Sequence, residues 1–212
     1  MNRRIAFFDF DGTITTHDTL LEFIRFSKGA PSFLLGFLLN SPWLVAYRLK
    51  LISNHAAKQR VLSWFFRNTP LTDFDAACNR FATEVLPRLI RPKALTEIAR
   101  LHEKGFTVVV VSASPENWLR QWADQTNASL LATRLETHAA AAIPTSIPAA
   151  TTSSPRLTGR ILGRNCHGTE KVRRIRESYD LADFDDIYAY GDTKGDKPML
   201  ALAKHSFYKP FR

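Results

Sequence analysis

Two hydrophobic periodicities alternate along most of this chain. Residues 5–8 are an unbroken apolar run that stops at Asp9 and Gly12. That is the pattern of a buried strand delivering polar residues at its C-terminal end. Residues 107–111, a Thr followed by four valines, form the clearest strand. It follows a helical pattern over 93–104 that Gly105 closes. Further strands are expected over 129–133, 187–190 and 207–208, and helical patterns over 116–125 and 170–179. Strands alternating with helices predict an α/β fold, a Rossmann-like parallel sheet with helices on both faces. Ligands of such sheets sit at the carboxyl ends of the strands. Three of the expected strands end there in Asp9, Ser112 and Asp192.

Residues 16–91 break the alternation with helical patterns and no strand, which predicts a helical cap inserted after the first strand. The expected domains are a catalytic core of 1–15 and 92–212 and a cap of 16–91. The cap contains an apolar stretch, 33–39 and 43–52, interrupted by Asn40, Ser41, Pro42, Arg48 and Lys50. A membrane-spanning helix needs about 20 mostly apolar residues with few charges. Residues 16–69 carry seven Lys or Arg and two acids, a net of +5. Two readings follow: a hydrophobic helical hairpin packed on itself and the core, or an interfacial element resting on an anionic membrane. Residues 138–155 are a low-complexity run of Ala, Thr, Ser, Pro and Ile, expected as a flexible loop or an extended hairpin tip.

Composition narrows the class. The 212 residues are 45% hydrophobic and 23% charged, ordinary for a globular protein with a real core. The two cysteines, Cys78 and Cys166, cannot build a disulfide framework and fit a reducing compartment. The net charge of +9 suits an anionic partner without choosing one. The basic residues are dispersed and no nucleic-acid-binding motif appears, so no nucleic-acid partner is expected. The basic start Met1-Asn2-Arg3-Arg4 is followed by only four apolar residues before Asp9, too few for a signal peptide. The expected location is the cytoplasm, with association at the inner membrane if the cap rests on lipid.

The candidate chemistry lies at the strand ends. Asp9-Phe10-Asp11-Gly12-Thr13 places two carboxylates, a turn glycine and a hydroxyl after the first strand. An arbitrary chain of this length matches Asp-x-Asp-Gly-Thr on the order of once in a thousand. Such paired acids hold Mg²⁺, and one can attack phosphorus. Gly191-Asp192-Thr193-Lys194-Gly195-Asp196 adds two carboxylates at a second strand end. Four converging acids call for a divalent cation, with Asp9, Asp11, Asp192 and Asp196 as the candidate metal site. Ser112, or Ser114 two residues on, can donate to a phosphate oxygen. Lys171 can supply positive charge to a transferring phosphoryl group. Taken alone, such a serine is a helix cap and such a lysine a solvated side chain.

In this order the four pieces resemble the haloacid dehalogenase superfamily of phosphohydrolases. Asp9-x-Asp11-Gly-Thr13 resembles its first motif and Ser112 its second. Lys171 resembles the third, and Gly191-Asp192-x-x-x-Asp196 the fourth. A helical cap between the first two motifs is similar to the phosphoserine-phosphatase-like branch. Cys166-x-Gly168-x-Glu170-Lys171-Val172 and Tyr208-Lys209-Pro210-Phe211 resemble a bacterial subgroup within it. The apolar, basic cap is similar to that of the phosphatidylglycerophosphatase C group.

The resemblance implies a Mg²⁺-dependent phosphatase working through an aspartyl-phosphate. Asp9 is then the nucleophile and Asp11 the acid and base. Mg²⁺ is held by Asp9, the Asp11 backbone carbonyl and Asp192, while Asp196 orients Lys171 or a water of the metal. Thr13, Ser112 and Lys171 bind phosphate oxygens. Superfamily dehalogenases lack the second aspartate of the first motif, and its presence as Asp11 favours a phosphatase. Glu22, near the start of the cap, takes the place of an acid that binds substrate ammonium in phosphoserine phosphatases, or it compensates a helix dipole. No clear match to their carboxylate-binding arginine appears; Arg25, Arg60 and Arg67 are candidates. The expected substrate is a lipid phosphate such as phosphatidylglycerophosphate, or a soluble phosphoester such as phosphoserine. A membrane-associated binding protein with a vestigial site is the alternative of another class.

Overall fold

The computed structural model describes residues 3–138 and 155–212. In chain order, β1 (Arg4–Phe8) leads into four helices: α1 (Thr19–Arg48), α2 (Asn54–Phe66), α3 (Leu71–Glu84) and α4 (Leu86–Leu89). Then come α5 (Pro92–Glu103), β2 (Phe106–Pro115), α6 (Glu116–Gln125), β3 (Ser129–Thr133) and β4 (Leu135–His138). The chain continues with β5 (Arg156–Ile161), α7 (Thr169–Ser178), β6 (Asp186–Gly191), α8 (Lys197–Leu200) and β7 (His205–Tyr208).

Five strands form one sheet in the order β3-β2-β1-β6-β7, every neighbouring pair parallel. Side chains alternate across a strand. Ala6 and Phe8 of β1 therefore join one buried cluster with residues of α5 and α6, and Ile5 and Phe7 join a second with residues of α7 and α8. Both faces are covered, as the near-continuous apolar runs predict. β1 is central, and its successor in the sheet lies on one side while β6 lies on the other. The crevice at the carboxyl ends of β1, β2 and β6 is thus a topological switch point.

Four helices, α1 to α4, intervene between β1 and β2, where the pattern predicted no strand. The two connections to the sheet pair with each other: Thr16 N donates to Leu89 O and Arg91 N to Ile14 O, both at 2.8 Å. Phe23, Phe66, Phe74 and Phe81 are buried together beneath the helices. Phe23 stacks on Trp118 of α6 at 4.6 Å, which joins them to the sheet-bearing part. α1 breaks at Gly29 (φ +78°), two residues before Pro31, and runs on past Pro42. Its second half lies tight against α2, where a Cβ on Gly36 would come within 2.2 Å of the Phe65 ring. That inner side matches the hairpin expectation. The outer side does not, because Leu34, Leu35, Leu38, Leu39, Val45 and Leu49 are exposed there, Leu38 at 69%.

One element lies outside the sequence expectations. β4 and β5 pair antiparallel as a separate two-stranded sheet. β5 reads Arg-Leu-Thr-Gly-Arg-Ile, too polar to register as a strand, but it is clamped to the helices. Asn68 N donates to Leu157 O and Leu157 N to Thr69 O, and Ser63 Oγ donates to Gly159 O. The loop or hairpin tip expected over 138–155 falls almost wholly on residues outside the described ones.

Candidate active site

β1 ends at Phe8, Asp9 follows it, and the chain makes one wide turn, with Thr15 N donating to Phe10 O at 3.0 Å. Gly12 sits in that turn at φ +80°, and a Cβ there would stand 2.6 Å from Asp192 Oδ2. Only glycine meets both demands, the left-handed backbone and the close approach of the β6 loop.

The Asp9 carboxylate is held on both oxygens. Lys171 Nζ donates to Oδ1 at 2.5 Å and Thr13 Oγ1 to Oδ2 at 3.1 Å. Lys171 rises from the first turn of α7, is 1% exposed, and also donates to Asp196 Oδ1 at 2.7 Å. The second Asp196 oxygen accepts from Thr193 N and Oγ1. Asp192 accepts from Thr13 Oγ1 at 3.4 Å and from Arg212 at 2.6 Å. Carboxylate oxygens of Asp9, Asp192 and Asp196 lie within 4.8 Å of one another.

Burial and crowding set the charges. Asp9 is pushed up to about 7, chiefly by burial, with Asp196 and Asp11 adding to the rise and Lys171 opposing it. Burial works to lower Lys171, but Asp9 and Asp196 hold it well above its ordinary value. Burial works to raise Asp196, but Lys171 and Thr193 hold it below the usual carboxylate range. Burial and Asp196 raise Asp192 against the pull of Arg212. Three crowded acids, with a lysine that reaches only Asp9 and Asp196, fit a divalent cation: all donors are oxygens, and burial and neighbouring acids raise both Asp9 and Asp192.

Asp11 stands apart from this cluster. Its Oδ1 accepts from Thr19 N and Oγ1, at 2.7 and 2.6 Å, and its Oδ2 from Ser114 Oγ at 2.6 Å. Ser112 Oγ lies 3.5 Å from the same oxygen. The Asp11 carboxylate is thus absent from the set of potential metal donors, and only its backbone carbonyl is left for that role. Trp118 Nε1 donates to Thr19 Oγ1 and locks the clamp from behind.

A cavity of about 520 Å³ opens over these groups. Asp9, Asp11, Lys171, Asp192 and Asp196 line it, while Thr13 and Ser112 are buried behind them. Glu22 does not line it. It lies in the first turn of α1, whereas the N-cap Asp18, accepting from Leu20 N and Leu21 N, faces the cavity. Glu22 follows the cap residue on the same side of the helix but one turn further along its axis, about 6 Å beyond Asp18. Lys58 of α2 also lines the cavity and donates to Ala113 O at 2.8 Å. Burial pushes Lys58 down, against the pull of Asp18, Asp11 and Asp9. The sequence marks Lys58 only as one base among seven. None of the three arginines considered for a substrate carboxylate lines this cavity.

Known proteins give the family. Residues 6–201 match the model of the haloacid dehalogenase-like hydrolases. The chain belongs to this family. Protein CicA of Caulobacter vibrioides is 32% identical to this haloacid dehalogenase-like hydrolase over 206 residues, 97% of the chain and 85% of that protein. A protein of unknown function from Bordetella pertussis Tohama I shares the fold at a TM-score of 0.79 and 20% identity, covering 97% of this chain and 89% of that one. A substrate-bound phosphoserine phosphatase does so at 0.61 and 16%, covering 98% and 86%.

Proposed function

We propose that this hydrolase is a Mg²⁺-dependent phosphomonoester phosphatase acting through an aspartyl-phosphate, with a lipid phosphate as substrate. The observation that carries the catalytic reading is the Asp9 carboxylate, held by Lys171 and Thr13 beside Asp192 and Asp196. An Asp9 oxygen attacks phosphorus, the ester P–O bond breaks, and the leaving alkoxide takes a proton from Asp11. Asp11 then accepts a proton from the water that attacks the aspartyl-phosphate, which frees inorganic phosphate and restores Asp9. Thr19 and Ser114 hold Asp11 aside from the acid cluster, which keeps the proton-transfer group separate from the nucleophile. Lys171 and Ser112 stabilise charge on the phosphoryl oxygens. Asp9, Asp192 and the Asp11 carbonyl, with Asp196 beside them, would hold Mg²⁺, which would supply the remaining positive charge for nucleophile and phosphoryl group.

The lipid reading is supported by Tyr47, which carries the apolar α1 to the cavity lining. The second reading, a soluble amino-acid phosphoester such as phosphoserine, is supported by Asp18 and Lys58, opposite charges facing one cavity. Phosphate release from phosphatidylglycerophosphate in mixed micelles, beside phosphoserine and an aryl phosphate, separates them. Preference for the lipid upholds the first reading. Activity on soluble esters alone replaces it with the second. Activity on none of them removes the phosphatase reading.

A further inference from the structure

A second cavity, of about 730 Å³, lies away from the acids, between α2 and the β4–β5 hairpin. Arg60, Arg67 and Arg160 line it, with Trp43 and Ser63. None of the three guanidinium groups pairs with a carboxylate among the described residues. Glu136 shares the cavity, its carboxylate accepting from Thr158 Oγ1 at 2.8 Å, and the three guanidinium groups outnumber it. The cavity is built rather than incidental. Ile161 N donates to Gln59 Oε1 and Ser63 Oγ to Gly159 O, which seat the hairpin on α2.

Trp43 links this basic cavity to the apolar outer side of α1. The Arg60 guanidinium lies 5.5 Å from the Trp43 ring centroid, and Trp43 is itself exposed. A helix on the surface of a globular protein turns its polar side outward. α1 turns out leucines instead, with exposed Arg48 and Lys50 at its C-terminal end. Exposed apolar area bordered by arginines and an interfacial tryptophan is complementary to an anionic bilayer, whose acyl layer takes the leucines and whose phosphates take the arginines.

We propose that the Arg60–Arg67–Arg160 cavity binds the phosphate of an anionic phospholipid headgroup, distinct from the hydrolysed ester, and seats the outer face of α1 on the bilayer. It deepens the lipid-phosphate reading and rests on it: a surface-bound enzyme meets its substrate in the same leaflet. Binding to vesicles that hold no phosphomonoester reads it independently of turnover.

The test is flotation of the full chain with vesicles of phosphatidylcholine alone or with about one third phosphatidylglycerol. The parent protein is expected to bind the anionic vesicles and to leave them as salt rises. Arg60→Gln with Arg160→Gln is expected to weaken binding roughly 25-fold, from about 1 kcal/mol per basic residue near the surface. Lys93→Gln with Arg176→Gln removes equal charge from helices on the two sheet faces and is expected to change binding less than about twofold. Equal weakening by both pairs would mean non-specific attraction and overturn the site. So would unaltered binding of the Arg60/Arg160 variant, or a parent chain that ignores the vesicles and sediments as a dimer. Both arginines are exposed, so melting temperatures are expected to match; a pair that melts early is replaced by the single variants, read in the same way.

Discussion

At the scale of single residues, the acids differ more than their shared chemistry suggests. Asp9 is buried among other carboxylates and is pushed up to about 7 by that burial. Its folded value lies above its unfolded one, so it favours the folded state fully below about pH 4, and that contribution is lost as pH rises through about 7. The metal-free protein should therefore lose stability across that window, and Asp9→Asn should flatten the slope. Melting curves of the two at stepped pH check this; identical slopes would remove the buried-acid account. The same variant should lower phosphate release by about 10⁴-fold or more while the fold survives. Gly12→Ala forces a methyl against Asp192 at a left-handed backbone position. It should cost about 1–3 kcal/mol and weaken Mg²⁺ binding, read by denaturant melts and metal titration.

At the scale of elements, α1 has two unlike sides. Its inner side is fitted to α2 so closely that Gly36 has no room for a Cβ beside Phe65. Phe65→Ala should open a cavity and cost about 3–5 kcal/mol by urea denaturation. Its outer side carries leucines that touch little. Leu38→Gln should shift stability by less than about 0.5 kcal/mol and raise solubility. A large loss of stability in that variant would show that the outer leucines pack against something. The β4–β5 hairpin is the other unusual element. It lies between core strands in sequence, yet bonds to α2 and to the turn before α3, so it roofs the helices rather than extending the main sheet.

At the scale of the molecule, the groups proposed for catalysis come from distant parts of the chain. Asp9 and Asp11 follow β1, Ser112 and Ser114 end β2, Lys171 begins α7, and Asp192 and Asp196 follow β6. Lys58 and Asp18 reach the same cavity from the helical insertion. Excess negative charge at the meeting point predicts a global effect of metal. Mg²⁺ should raise the melting temperature, and a strong chelator should lower it and stop turnover reversibly. Turnover undiminished by chelation would remove the metal. Because two linkers join the helical insertion to the sheet through paired backbone bonds at Thr16 and Arg91, its motion as a lid would bend there.

The sheet was legible in the sequence because buried parallel strands are short, continuous apolar runs, and each expected strand is present within a few residues of its expected limits. The acids were legible for the same reason: in such a sheet, residues that follow a strand must meet at one edge. Local pattern decides both. The sequence could not place β5, whose polar residues become a strand only because Asn68, Thr69 and Ser63 bind its backbone. Nor could it separate Asp18 from Glu22, which share a side of α1 and differ by one turn along its axis, or raise Lys58 above the other bases of the insertion. The roles of Asp11's neighbours Thr19 and Trp118 and the grouping of Arg60, Arg67 and Arg160 depend on segments far apart in the chain. Those contacts arise from packing between elements, which the hydrophobic pattern of any one element does not contain, and only the tertiary structure decides them.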